Sequence, residues 1–153
     1  MHWLELKIPP LVVWLICAGA MRAVTSAAPG LSFALAGRSV VALLLVTLGL
    51  AVVVAGVRAF REKGTTVNPH TPDKSTSVVS GGVYSVTRNP MYLGFLLVLA
   101  GWAAYLANAG AVMFLPAFVA YLTRFQIKPE ERALRARFGT QYSQYLSRVR
   151  RWI

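Results

Sequence analysis

Residues 89–123 read NPMYLGFLLVLAGWAAYLANAGAVMFLPAFVAYLT, thirty-five positions without one charged side chain. A helix that crosses a hydrocarbon core of about 30 Å needs about 20 residues. The block is therefore too long for one crossing, and it predicts a hairpin of two helices turning at ANAG, residues 107–110. Upstream, Ser39 to Val57 is a second uncharged block of nineteen residues. A third begins at Pro9 and runs through LVVWLICAGAM to Arg22, or to about residue 26 where that arginine snorkels to the interface. The N-terminal segment also loosely meets a signal-peptide pattern, with Lys7 in front and SAA at 26–28. Glu5 and the Pro9-Pro10 pair fit that pattern poorly, so a retained span is expected. The fold expected is all-α: a polytopic membrane protein with about four transmembrane helices in two hairpins, a long cytoplasmic loop and a C-terminal amphipathic helix. Residues 1–58 would form the N-terminal hairpin and 59–153 the functional core.

Composition agrees. The 153 residues are 56% hydrophobic and 14% charged, against about 25% charged in soluble proteins. The net charge of +11 invites comparison with nucleic-acid binders, but its distribution excludes that class. Of sixteen Lys and Arg, five lie between Arg58 and Arg88 and eight from Arg124 onward, with only Arg22 and Arg38 between the first two spans. With an even number of spans, both termini and the 59–88 loop share one side, and the positive-inside rule makes it cytoplasmic, at a bacterial inner membrane. The basic excess then sets topology and attracts anionic lipid. Cys17 is the single cysteine, so no intrachain disulfide forms, and His2 and His70 are too few for a metal cluster.

Two stretches are not membrane. REKGTTVNPHTPDKSTSVVSGGVYSVTR, residues 61–88, is rich in Gly, Pro, Ser and Thr and reads as a loop; loops of such length commonly carry function. The tail PEERALRARFGTQYSQYLSRVRRWI places Leu134, Phe138, Tyr142, Tyr145 and Val149 at intervals of four, four, three and four, one face of a helix with a basic opposite face. Pro129 suits its first turn, and Glu130 and Glu131 complement its dipole. Such a helix lies on the membrane or covers the loop.

Because spans three and four are antiparallel neighbours, the Arg88 and Glu130 ends must meet at one membrane face. A guanidinium, two carboxylates, Tyr84, Tyr92 and the Gly81-Gly82 pair thus converge on a helix N-terminus. Those parts suit a zwitterionic small molecule with an aromatic end. Each also has a plainer explanation: Arg88 as a topology anchor, Asn89-Pro90 as an N-cap with N1 proline, the tyrosines as interfacial belt residues, the glutamates as dipole partners.

Taken together, Gly82-x-Tyr84-x3-Arg88-Asn89-Pro90-x-Tyr92-x-Gly94, then a hydrophobic hairpin, then Glu130-Glu131-x2-Leu134-x3-Phe138-Gly139-x2-Tyr142, closely resembles the isoprenylcysteine carboxyl methyltransferase and phospholipid methyltransferase superfamily. The resemblance covers about residues 64–152. It implies an integral membrane methyltransferase that uses S-adenosylmethionine, bound at the cytoplasmic face, with a lipophilic acceptor entering from the bilayer. Carried over, the cofactor contacts fall at His70, Thr76, Ser77, Val78, Val79, Gly82, Tyr84, Asn89, Pro90, Met91, Tyr92 and Glu130. Catalytic or electrostatic roles fall to Arg88, Glu130 and Glu131, and acceptor contacts to Gln126 and Arg124. Two positions depart from the superfamily. Asn89 stands where a histidine is usual, and Gln126 stands where the prenylcysteine enzymes carry an arginine for the acceptor carboxylate. A neutral amide does not replace a bidentate guanidinium, which argues against a prenylcysteine acceptor. Sulfonium methyl transfer is an in-line displacement on an activated donor, so alignment and water exclusion supply most of the acceleration and no catalytic triad or metal is required. Two other classes remain open: a reductase using a reduced nicotinamide on a related scaffold, and a non-catalytic membrane binding or assembly protein.

Overall fold

A computed structural model describes residues 5–63 and 77–153, and the described part is helical throughout. Helix α1 spans Pro10–Ala27, α2 Arg38–Glu62 and α3 Pro90–Leu106. A rod follows, made of α4 (Ala109–Val112), α5 (Phe114–Leu122), a π-helical turn (Thr123–Ile127) and α6 (Lys128–Arg148). Short 3-10 turns occupy Pro29–Leu31 and Gly82–Ser85.

The start and stop signals are local. Pro10 and Pro90 open α1 and α3 at a position whose N–H has no intrahelical partner. Ala107, at φ 47°, ends α3, and the Asn108 side chain accepts the Ala111 N–H at 3.2 Å to start α4. The turn expected at 107–110 is therefore observed. Asn108 is fully buried, and its amide donates to the Ala28 carbonyl at 3.0 Å and Ser32 Oγ at 3.3 Å, which pins the turn to the α1–α2 connection.

Helix α3 is central. On one side it meets α2 backbone to backbone: a Cβ added at Gly94 would lie 2.6 Å from the Gly49 carbonyl oxygen and 2.5 Å from Val53 Cγ2. Such close approach through small residues is how helices gain dispersion contact in lipid, where no hydrophobic effect drives them together. On the other side α1 packs with two indoles donating to helix carbonyls, Trp14 Nε1 to Phe95 at 3.0 Å and Trp102 Nε1 to Ala18 at 3.1 Å. The buried core, including Met21, Leu99, Phe118, Leu122 and Ile127, lies among α1, α3 and the rod. Chain order reads as two hairpins, yet α1 and α2 each take α3 as a partner, so the 1–58 and 59–153 portions share one packing centre.

Among the described residues three helices are long and apolar enough to cross a membrane: α1, α2 and the rod from Ala109 to Arg148, whose apolar part precedes the charged residues from Lys128 onward. Helix α3 is apolar but has only 17 residues, about 26 Å of rise, so of the four expected spans three correspond to helices of spanning length and α3 falls short of it.

Three boundaries differ from expectation. Helix α2 continues to Glu62, past residue 58, taking the first residues of the expected loop because nothing before Gly64 breaks it. Helix α6 is kinked at Gly139 (φ 51°, ψ −121°), a conformation that glycine adopts without a Cβ clash, so the Leu134–Val149 stripe does not follow one straight axis. Within that stripe Tyr142 and Tyr145 are buried, Leu134 and Phe138 are half-buried, and Val149 lies past the helix end in extended conformation.

Candidate active site

The open ends of α3 and the rod meet, as the hairpin requires, and the meeting is held by hydrogen bonds and ion pairs. Tyr92, on the first turn of α3, is buried and donates its hydroxyl to Glu130 Oε1 at 2.5 Å. Glu130 sits on the first turn of α6, beyond the apolar part of the rod. Burial pushes its carboxyl up to about 8; the Tyr92 hydrogen bond pulls the other way, and the Glu131 charge adds to the rise. Among the described residues no cation pairs with Glu130.

Glu131 is placed quite differently. Its two oxygens accept from Arg151 Nε at 3.0 Å and Nη2 at 2.7 Å, a bidentate fork, and Arg88 Nη2 approaches Oε1 at 3.3 Å. The Glu131 hydrogen bond holds the Arg151 guanidinium above its ordinary value. The C-terminal segment carrying Arg151 folds back along the residues before α3: Arg88 N–H donates to the Arg150 carbonyl at 3.0 Å, and Asn89 Nδ2 to the Arg151 carbonyl at 2.8 Å. Asn89 occupies the N-cap position but makes no side-chain cap; the Thr87 hydroxyl accepts the Asn89 N–H instead, at 3.2 Å. Trp152 closes the return by donating to Thr123 Oγ1 at 3.1 Å.

The third wall is the segment 77–85. Tyr84 is buried, edge-on to Phe60 with ring centroids 5.3 Å apart, and its carbonyl accepts the Tyr145 hydroxyl at 2.8 Å. Helix α6 thus meets the described end of the loop through Tyr145. Burial drives the Tyr84 hydroxyl far above the ordinary phenol value, with Tyr145 and Glu130 adding to the rise, so Tyr84 and Glu130 lie in one electrostatic neighbourhood. Gly82 adopts φ 58° where the chain turns into this segment. Val79 is buried, Ser77 and Val78 are half-buried, and Met91 packs over Gly56 of α2. In this segment and at its junction with α3, two polar atoms are buried without a partner among the described residues: Ser77 Oγ and Arg88 Nε.

The remaining expected residues divide. Gln126 is fully buried on the π turn and donates Nε2 to the Ile8 carbonyl at 2.6 Å, while Leu6 N–H donates to the Phe125 carbonyl at 3.0 Å. Arg124 points outward, 44% exposed, and pairs with Glu5 at 2.8 Å; Glu5 also pairs with Arg132. These arginines hold the Glu5 carboxyl below its ordinary value. His70 and Thr76 lie outside the described residues. Sequence reasoning did not single out Arg151, Phe60, Glu5 or Trp152. Arg151 sits in a terminal RVRR run that reads only as basic charge, and nothing local marks it as a partner of Glu131.

A family model for phospholipid methyltransferase matches residues 38–141. The chain belongs to the phospholipid methyltransferase family. It is a membrane protein by family and by its apolar helices. The matched region takes in Arg88, Tyr92, Gln126, Glu130 and Glu131 and stops before Tyr142 and Arg151. Over 119 residues the chain is 35% identical to a probable protein-S-isoprenylcysteine O-methyltransferase of Oryza sativa subsp. indica, covering 72% of this chain and 58% of that one. It is 42% identical over 67 residues to methanethiol S-methyltransferase 2 of Bradyrhizobium diazoefficiens, 44% of this chain and 25% of the relative. An uncharacterized protein of Haemophilus influenzae is matched along its whole length at 40% identity, covering 41% of this chain. This chain thus spans little more than half the length of the rice protein and a quarter of the Bradyrhizobium one. No solved structure matches it.

Proposed function

We propose that this member of the family is an integral membrane methyltransferase that draws on S-adenosylmethionine and methylates a small lipophilic acceptor. The observation that carries it is the state of Glu130: a desolvated carboxyl, oriented by Tyr92 and paired with no cation among the described residues, while the neighbouring Glu131 holds an arginine, Arg88, whose Nε is buried without a partner among them. Desolvated charges and unpaired buried donors are costly unless something completes them. A zwitterionic amino-acid end would complete both, with Glu130 holding its ammonium and Arg88 and Ser77 offering donors to its carboxylate. The buried Tyr84 and Val79, with Met91, offer the apolar wall that an adenine requires, and Asn89 and Pro90 shape the turn. The donor set therefore fits the cofactor. When bound, S-adenosylmethionine supplies a methyl group already activated by its sulfonium.

The chain's own residues bind, orient and exclude water. Tyr92 holds the Glu130 carboxylate in position, and Glu131 is a positioning residue that fixes Arg88 through a shared contact with Arg151. Arg88 contributes positive potential at the mouth. Gln126 lies on the acceptor side, with Arg124 at the outer rim. The basic residues at 58–88 and beyond 124 favour a four-span arrangement with this site at the cytoplasmic face of the inner membrane, α3 serving as the shorter span. Titration of S-adenosylhomocysteine into the folded full chain in detergent tests the proposal: saturable heat that Glu130→Gln weakens is expected, and no binding to the wild type overturns it.

A further inference from the structure

The amide of Gln126 is oriented by the structure. Its Nε2 donates to the Ile8 carbonyl at 2.6 Å, and a carbonyl accepts only from the NH2 side, so Oε1 must be the outward oxygen. The Ile8 carbonyl is open to this contact because the first turn of α1 is tight: Val12 and Val13 N–H both go to Pro9, leaving the residue before it outside the helix ladder. Gln126 is fully buried, and Oε1 has no donor among the described residues. Its helix neighbours Leu122 and Ile127 are apolar and also fully buried. Gln126 precedes Glu130 by four residues, about one turn of the rod. One turn earlier, the Tyr121 hydroxyl is likewise buried without a partner.

We propose that Gln126 is a specificity-determining residue that accepts a hydrogen bond from the acceptor, so that acceptors of this protein carry an O–H or N–H donor on an otherwise lipophilic body. The proposal rests on the methyltransferase function above, since that places an acceptor one turn from Glu130. A carboxylate acceptor presents only lone pairs to Oε1 and is repelled. A lipophilic molecule with no donor leaves Oε1 unsatisfied. An alcohol, phenol, amide or amine completes it, while its apolar part meets the surrounding side chains. An arginine at this site would select the opposite chemistry, which makes the position a discriminator.

The test uses two neutral probes with the same dodecyl chain, 1-dodecanol and dodecyl methyl ether, in which a methyl group replaces the hydroxyl hydrogen, added to the full chain in detergent micelles. Native mass spectrometry counts adducts of each probe and, in the same spectra, of S-adenosylhomocysteine. The expected result is half-saturation by the alcohol at a concentration at least about fivefold below that of the ether, about one neutral hydrogen bond, with the difference erased in Gln126→Met. Equal binding of the two probes by the wild type overturns the inference and assigns the free oxygen to a bound water. That wild-type comparison stands even where the variant fails to fold. Discrimination that survives intact in folded Gln126→Met also overturns it. The two failures separate: probe discrimination without an S-adenosylhomocysteine adduct removes the methyltransferase function and keeps the donor-reading site, while the adduct without discrimination does the reverse.

Discussion

Changing each of the two adjacent glutamates to glutamine, an isosteric swap that removes only charge, should give opposite phenotypes. Glu130 is carried at a cost: burial pushes its carboxyl up to about 8, from an ordinary value of 4.5. At pH 7 that difference amounts to at most about 3 kcal/mol of lost stability. Glu130→Gln should therefore leave the melting temperature unchanged or raise it. It should also remove a charge-assisted contact to the ligand ammonium, about 1.5–3 kcal/mol, or about 10- to 150-fold in affinity. Glu131 stands between Arg88 and Arg151, with side-chain exposures of 14%, 11% and 32%. Removing one member of a fully buried pair costs about 3–5 kcal/mol and of a surface pair about 0–1. This half-open triad lies between, at about 2 kcal/mol. For a chain of this size that lowers the melting temperature by about 4–8 °C. Thermal unfolding in detergent and calorimetric titration with S-adenosylhomocysteine read both quantities. The assignment of roles fails if Glu130→Gln binds as tightly as the wild type, or if Glu130→Gln is the less stable of the pair.

The pH dependence follows from the same carboxyl. Its raised value means that the folded state holds a proton that the unfolded state has lost, so stability without ligand should fall as pH rises from about 4.5 to about 8. Binding of an ammonium requires the ionised form, so S-adenosylhomocysteine affinity should climb about tenfold per pH unit below about 8 and flatten above it; a pH-independent affinity between 6 and 8 contradicts this. Tyr92→Phe removes the hydrogen bond that lowers the Glu130 value, so the bend in that affinity profile should move to higher pH, with no shift if Tyr92 only packs. Gly94→Ala forces a Cβ to within 2.6 Å of the Gly49 carbonyl oxygen and must part α2 from α3. A loss of about 1–3 kcal/mol is expected, read as earlier thermal unfolding, whereas Gly81→Ala, with open space around its Cβ, should be nearly neutral.

Much of the site was legible because a tight hairpin leaves little choice. Once ANAG is a turn, Arg88 and Glu130 must share a membrane face, and the 2.5 Å contact between Tyr92 and Glu130 is the direct consequence. The division of labour between Glu130 and Glu131 was not legible, since both are glutamates on the first turn of one helix. Their roles differ only because Arg151 returns from the chain's end to one of them. Asn89 shows the same limit: its placement before Pro90 signals an N-cap, but the side chain is drawn to the Arg151 carbonyl, sixty-two positions away.

The sequence by itself determined the apolar blocks, the turn between the last two, the side on which the charges gather and the family, because hydropathy and turn chemistry act over a few residues and leave a periodic record. Only the tertiary structure decided that α3 is the common partner of α1 and α2, that Gln126 faces Ile8 with its oxygen free, and that the C-terminal residues lock the mouth of the site. Those outcomes depend on which distant segments come within hydrogen-bonding distance. The π turn at Thr123–Ile127 also changes the rotation of the rod just before Glu130, a change of phase that no local pattern of polar and apolar residues encodes.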